Sequence, residues 1–189
     1  MMGKWVHKVV MGSALLILSS AAFSAADWKI VSKDSSLVFS ATQNDAPVKG
    51  TFQRFTGKIQ FDPADLKSSH IEIAVDLTSV KTGDSQVADT LKSADWFNTG
   101  AFPKAVFKAA SFVKTGDKTY QANGTLTLRD KTQPLVLNFI LKNYSDSKAL
   151  ATGSAIIKRT QFGVGQGDWS KTDAIKDDVQ VEFMLSATK

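Results

Sequence analysis

The sequence predicts an all-β fold of about eight to ten strands, on three observations. Strict two-residue alternation recurs in "HIEIAVDL", which puts Ile71, Ile73, Val75 and Leu77 on one face, in "PLVLNFILKN", with Leu135, Leu137, Phe139 and Leu141, and in "DVQVEFMLSA", with Val179, Val181, Phe183 and Leu185. A period of two is the mark of a half-buried strand. Noisier segments of the same kind lie at 28–31, 36–42, 48–53, 55–61, 105–113, 119–128 and 149–158, separated by turn residues such as "FDPAD" around Pro63 and "KTGDK" around Gly116. One segment alone has helical spacing.

Taken from the N-terminus, the first element is an address rather than part of the fold. "MMGKWVHK" is short and positive, "VVMGSALLILSSAAF" is an apolar run too short to span a bilayer comfortably, and small residues precede Asp27. Residues 1–26 therefore read as a cleaved signal peptide, with cuts after Ser24 or after Ala26 both leaving small residues where the peptidase reads, and 27–189 as a single mature domain. Export to the periplasm is the expected localisation. Loss of the leader removes Lys4 and Lys8 and no acid, which lowers the formal charge from +5 to +3. The remaining lysines are dispersed along the chain, so nucleic acid is not an expected partner. There is no cysteine, which excludes disulfides, thiolate zinc sites and a cysteine nucleophile. The mature domain must be held by core burial alone, which a domain of roughly 160 residues can supply.

The helical segment is "TGDSQVADTLKSADWF". Asp84 and Ser85 are N-cap candidates, Val87 and Leu91 fall four apart, and Gly100 and Pro103 forbid continuation, so a short helix is predicted over 85–97. "RTQFGVGQGDW" (159–169) then places Gly163, Gly165 and Gly167 at alternate positions. That is not the dinucleotide fingerprint, and a loop and a strand follow it rather than the helix whose N-terminus would hold a phosphate. It reads as a flexible or bulged loop at one end of the sheet, anchored by Phe162 and Trp169.

Many antiparallel strands in one domain close into a sandwich or a barrel, because open edges invite aggregation. Most of the twelve phenylalanines fall in or beside strands: Phe39, Phe52, Phe55, Phe61, Phe107, Phe112, Phe139 and Phe183. They fit a filled core and a ligand cavity equally well. No enzyme is predicted. His70 is the sole histidine after the leader and opens an alternating strand, and no "GxSxG" presents a serine. The acids Asp177 and Asp178 read as a solvated turn, and an all-oxygen calcium site at 176–179 or 82–85 stays open.

The runs "WKI" (28–30), "VKGTFQRFTGKIQFDP" (48–63), "VDLTSVKTGD" (75–84), "LKSADWFNTGAFPKAVF" (91–107), "NGTLTLRDKTQPL" (123–135), "ATGSAIIKRTQFGVG" (151–165) and "VQVEFMLSA" (179–187) resemble, in this order, the YceI-like family. The Thr-Ser-Val-x-Thr-Gly run, the spacing from Asp-Trp-Phe to Phe-Pro-x-x-x-Phe and the Arg-Thr-x-Phe-Gly run carry the match together. The resemblance implies an extended lipocalin-like antiparallel β-barrel of about eight strands with one short helical segment. It further implies a periplasmic carrier that holds a long-chain isoprenoid lipid or a ubiquinone-like polyisoprenoid quinone, with no covalent cofactor. "FGVGQGDW" and "QNDAPVKG" (43–50) look most like the branch that accompanies quinol-handling membrane cytochromes b. The alternatives on this reading are a quinone-presenting partner of such a cytochrome, and an envelope stress or structural module without a dedicated ligand. The oligomeric state is left open, a homodimer included. In the fourth hairpin, "LRDKTQP" stands where the family has a glycine, and Asp130 and Lys131 are expected to make the turn.

On that implied fold the cavity wall is expected to be Phe39, Phe52, Phe55, Ile73, Val75, Leu77, Leu91, Phe107, Leu126, Leu128, Leu137, Phe139, Phe162, Val181 and Phe183. A polar end is expected at Asp95 and Trp96, near the helix terminus, and at Arg159 and Gln161, beside the glycine loop. A long isoprenoid chain needs no special chemistry to enter such a wall, since each buried methylene is worth about 0.8 kcal/mol.

Overall fold

The structure is a computed structural model that describes residues 27–189; residues 1–26, expected to be a signal peptide, lie outside the described residues. Its strands are β1 (Asp27–Ile30), β2 (Ser36–Gln43), β3 (Ala46–Phe52), β4 (Phe55–Gln60), β5 (His70–Asp76), β6 (Val80–Thr82), β7 (Lys104–Lys114), β8 (Thr119–Leu128), β9 (Lys131–Tyr144), β10 (Lys148–Lys158) and β11 (Asp178–Thr188), with one α-helix, α1 (Ser85–Lys92). Every pairing is antiparallel, and the sheet closes where β11 meets both β2, at Gln180↔Ser40, and β1, at Ile30↔Ala187.

Three consecutive pairs of these strands are single staves interrupted once: β1 with β2, β3 with β4, and β5 with β6. Counted so, the molecule is an eight-stranded up-and-down barrel with one helix. The expected fold class is the observed one. Two of the interruptions lie side by side and satisfy each other. Arg54 N donates to Ser79 Oγ (3.0 Å), Gln53 N to Ser79 O (3.2 Å) and Asp76 N to Arg54 O (3.0 Å). The third is bridged by Ser35, whose hydroxyl donates to Val31 O (2.8 Å) and accepts from Ser186 N (3.0 Å). The kinks thus pair these backbone groups with one another and with Ser35 and Ser79, as a closed barrel requires. Leu77, expected at the end of a strand, sits in the short 3-10 turn Leu77–Ser79 and still points into the core.

Connections at one end of the barrel are short: 61–69, 115–118 and 145–147. The opposite end carries the two long ones, 83–103 with α1 and 159–177 with the glycine loop, and the two-residue turns 44–45 and 129–130. Asn44 and Asp45 both have positive φ (48° and 60°), which suits a tight hairpin whose twist matches its strands. In the fourth hairpin Leu128 pairs with Lys131, so the turn residues are Arg129 and Asp130 rather than Asp130 and Lys131. Arg129 itself takes the left-handed conformation (φ 57°) that a glycine would occupy freely.

The helix starts as expected, with the Asp84 carboxylate accepting from Gln86 N (2.8 Å), and it lays Ala88 and Leu91 against the core. It stops at Lys92, five residues before the predicted end at 97. Ser93 is extended, Phe97 N folds back onto Leu91 O (2.9 Å), and Arg129 Nη1 reaches across to donate to the carbonyls of Ala94 and Trp96. A side chain more than 30 residues away therefore terminates the helix.

Candidate functional site

The inward positions of the barrel do not meet at its centre. They enclose a cavity of about 290 Å³ whose wall is apolar surface throughout, against the roughly 10–15 Å³ that one water needs. Burial along the strands shows where the cavity lies. On β7 and β8 the inward Ala105, Phe107, Leu126 and Leu128 are buried, whereas on β4, β5, β10 and β11 the inward Ile59, Ile71, Ile73, Val75, Ala151, Val179, Val181 and Phe183 are only half-buried. Because these side chains face inward, their remaining exposure is to the cavity. It therefore runs along the side of the barrel that contains the closure.

Residues with small side chains create this space. β10 turns Ala149, Ala151, Gly153 and Ala155 inward, and at Gly153 a Cβ would fall 2.5 Å from the Phe183 ring. The absence of a Cβ lets that ring pack directly against β10 at the cavity wall.

The short-loop end is stoppered by aromatic rings. Phe61 packs edge-on against Phe112, Tyr120 and Phe139, with centroids 5.4–5.5 Å apart, and its carbonyl accepts from Trp28 Nε1 (3.1 Å). Burial raises the Tyr120 hydroxyl above its usual value, with Asp117 adding to it.

The other end is closed by the helix and the glycine loop, and the fastener is Arg159. Its side chain is 2% exposed, and its five N–H groups donate to five carbonyls: Nε to Lys176 (3.2 Å), Nη1 to Val164 (2.9 Å) and Gly165 (3.4 Å), Nη2 to Lys171 (2.7 Å) and Ile175 (2.9 Å). Burial pulls the guanidinium below its usual pKa, with Asp177 opposing. Gly165 is needed for this packing. Its φ is +79°, and a Cβ there would lie 2.4 Å from Arg159 Nη1. Gly165 N and Gln166 N both donate to Asp95 O (2.8 Å each), and Arg129 Nη1 donates to Gly163 O (2.9 Å), so the glycine loop is stitched to the segment after α1. The stretch read as a flexible or bulged loop at one end of the sheet lies at that barrel end, hydrogen-bonded to the segment after α1.

Of the expected wall, Phe39, Phe52, Phe55, Ile73, Val75, Leu77, Leu91, Phe107, Leu126, Leu128, Leu137, Phe139, Val181 and Phe183 border the cavity. Phe162 does not. The 3-10 turn Arg159–Phe162 carries it away from the barrel axis, and it is buried in the core at 2% exposure. The expected polar end divides in the same way: Trp96 and Arg159 border the cavity, while Asp95 and Gln161 are exposed on the outside of the cap. Asp95 contributes its carbonyl, not its carboxylate. The sequence reading passed over the inward small residues of β10, although Ala149, Ala151, Gly153 and Ala155 repeat with period two, and it passed over Arg129 altogether.

His70 is exposed at the start of β5. The acids once open to calcium are engaged locally: Asp84 caps α1, Asp177 accepts from Thr160 N (2.9 Å) and Asp178 pairs with Lys158. Among the described residues no cluster of three or more histidine, aspartate or glutamate side chains is placed to hold a metal, and no helix is long and apolar enough to cross a membrane.

Comparison with known proteins fits this geometry. The YceI-like domain matches residues 28–187. Protein YceI of Escherichia coli O157:H7 is 31% identical over 72% of this chain and 71% of its own length, and a UPF0312 protein of Vibrio cholerae is 29% identical over 69% of this chain and 70% of its own. Among solved structures, BcnA of Burkholderia cenocepacia superposes with a TM-score of 0.80 at 28% identity, covering 84% of this chain and 99% of BcnA. A polyisoprenoid binding domain from Saccharophagus degradans, implicated in plant cell wall breakdown, shares the fold at 16% identity, with a TM-score of 0.70 over 85% of this chain and 97% of that domain.

Proposed function

The chain belongs to the YceI-like family, and from that premise we propose that it is a binding protein which carries a long-chain isoprenoid lipid, a polyisoprenoid quinone among the candidates, inside its barrel. The observation that carries this reading is the apolar cavity of about 290 Å³ bordered by half-buried inward side chains. A core that served stability alone would fill that volume, since packed interiors leave few voids larger than a water. The domain of Saccharophagus degradans that is described as binding polyisoprenoid shares this fold, which supports the same class of ligand here. Each methylene transferred from water into such a wall contributes about 0.8 kcal/mol, so a chain of a few isoprene units is held without a charged anchor. No reaction is proposed. The acids and the histidine lie outside the cavity wall and are exposed or engaged in caps and ion pairs.

From the leader-like residues 1–26 we propose that this carrier works in the periplasm, where a water-soluble container is needed for a lipid in transit. N-terminal sequencing of protein from the native envelope is expected to begin at or just before Asp27. Organic extraction of the same material, followed by mass spectrometry, is expected to yield an isoprenoid or other long-chain lipid at near-stoichiometric amounts. Material purified without detergent that yields none would overturn the carrier reading.

A further inference from the structure

The barrel wall contains a window bounded by paired rungs at both ends. The first stave pairs with the second at Asp27↔Gln60 and Trp28↔Ile59, and again from Val38↔Thr51 to Gln43↔Ala46. Between those rungs no ladder pair or backbone hydrogen bond joins residues 29–37 to residues 52–58 among the described residues. At about 3.3 Å per residue, the unpaired stretch of the second stave is roughly 23 Å long. Each edge of the window is held from its far side. The first stave hangs on β11 through Ile30↔Ala187, Met184↔Ser36 and a bond from Val31 N to Ser186 O (2.8 Å), and the second on β5 from Phe55↔Val75 to Gln60↔His70.

Side chains close the window in place of backbone. Ile30 reaches across it, with Cδ1 2.8 Å from the position that a Cβ on Gly57 would take. Leu37, Phe52 and Phe55 lie along its edges, border the cavity and are half-buried. β5 and β8 border the cavity with alternate residues alone, but the first stave does so with both Leu37, which faces inward, and Ser36, which is out of phase with it. The apolar interior therefore reaches into the wall at this stave.

We propose that this window is the doorway of the cavity: the segment 31–37, hinged at the 3-10 turn Ser32–Asp34, swings away from β4 while keeping β11, and a ligand passes sideways into the barrel. This rests on the carrier reading and adds a route to it. Neither end of the barrel offers one, since one is stoppered by the Phe61 cluster and the other is closed over by a loop that Arg159 fastens through five carbonyls. Passage through the wall elsewhere breaks ladder bonds, as along the unbroken run from Thr119↔Ile140 to Leu128↔Lys131. β9 and β10 also part beyond Asn138↔Ser154, but the turn Arg159–Phe162 packs on β9 there. At the window only side-chain contacts have to separate, and a long chain enters along its length instead of being threaded end-on.

Because the chain has no cysteine, the window can be locked with an introduced pair. Ile30→Cys with Gly57→Cys places thiols where the β1–β4 register would continue and where the closed window already has its contact. The control, Val113→Cys with Gln121→Cys, bridges an intact rung of β7 and β8. The probe is N-phenyl-1-naphthylamine, a neutral apolar fluorophore, and its uptake and release are followed by stopped flow. Oxidation of the window pair should slow both rates roughly tenfold or more, and dithiothreitol should restore them, because a gate acts on passage in both directions. The control pair should not respond. Should the window pair fail to fold or to oxidise, two single variants decide. Ile30→Ala, which removes the side chain that spans the window, should speed both rates roughly threefold or more, whereas Gly165→Ala, which loosens the Arg159 fastening, should leave them unchanged. Oxidation without effect, an Ile30→Ala that does not speed exchange or a Gly165→Ala that does overturns the doorway. A probe that does not bind the wild-type protein at all overturns instead the carrier reading beneath it.

Discussion

Arg159 shows how a charged side chain can be structural. Its five donors satisfy carbonyls that the 159–177 loop would otherwise bury unpaired, so Arg159→Met should cost about 3–5 kcal/mol in urea unfolding, as for removal of one partner of a buried charged network. Gly165→Ala acts on the same fastener from the other side, by a Cβ placed 2.4 Å from Arg159 Nη1 at a φ of +79°. A loss of about 1–3 kcal/mol is expected there. Asp76 is the titrating counterpart at the paired kinks. The Thr78 hydroxyl, 2.6 Å away, does most to hold its carboxyl below the usual 3.8; burial opposes it, and Arg54 Nε, 2.9 Å away, together with Thr78 N outweighs that opposition. A lowered carboxyl stabilises the fold fully above its ordinary value and ceases to do so as the pH falls through the lowered one. Wild type should therefore exceed Asp76→Asn in stability at neutral pH, with the difference shrinking below pH 3.8; a difference independent of pH would place the effect of Asp76 in packing.

β10 sets the bore of the barrel. Ala149, Ala151, Gly153 and Ala155 face inward where neighbouring strands present larger side chains. Ala151→Phe should fill the cavity and abolish lipid co-purification while the melting temperature stays within a few degrees of wild type. Ala122 on β8 is the control. It is fully buried and does not border the cavity, so Ala122→Phe should overpack the core and cost at least about 1–3 kcal/mol. The same contrast explains what could be read in advance. β5, β9 and β11 announce themselves through large apolar residues at period two, and the observed strands fall on them. β10 alternates just as strictly, but alanine and glycine carry too little apolar signal to mark a face. The start of α1 was legible because its cap, Asp84, is adjacent in sequence. Its end was not, because Arg129 enforces it from across the barrel. The cavity wall was legible for a related reason: twelve of its expected members lie on strands, where alternation fixes direction, whereas Phe162 lies in a turn, where it does not.

Closure of the barrel through β11 to β1 and β2 removes the sheet edges and makes every stave depend on its two neighbours. A cavity in such a ring weakens it, since side chains bordering the space lack packing partners on one side. Val179, Val181 and Phe183 of the closing strand border it, so the seam of the barrel is also the wall against which a lipid would pack. Binding and closure should then be linked. A ligand that binds only the closed state stabilises it by RT ln(1 + [L]/Kd), about 2.7 kcal/mol at a hundredfold excess over Kd. For a domain of this size that corresponds to roughly 5–10 °C in Tm. Protein stripped of lipid by organic extraction and refolded should melt lower than native material by about that amount, and re-addition of the extracted lipid should restore it. Hydrogen exchange gives the same linkage a position. Amides of β1, β2 and β11 should be those that the lipid protects most, while β7 and β8, whose inward side chains are already buried, should exchange alike with and without it. Uniform protection around the ring would mean that the ligand stabilises the barrel without bearing on its seam.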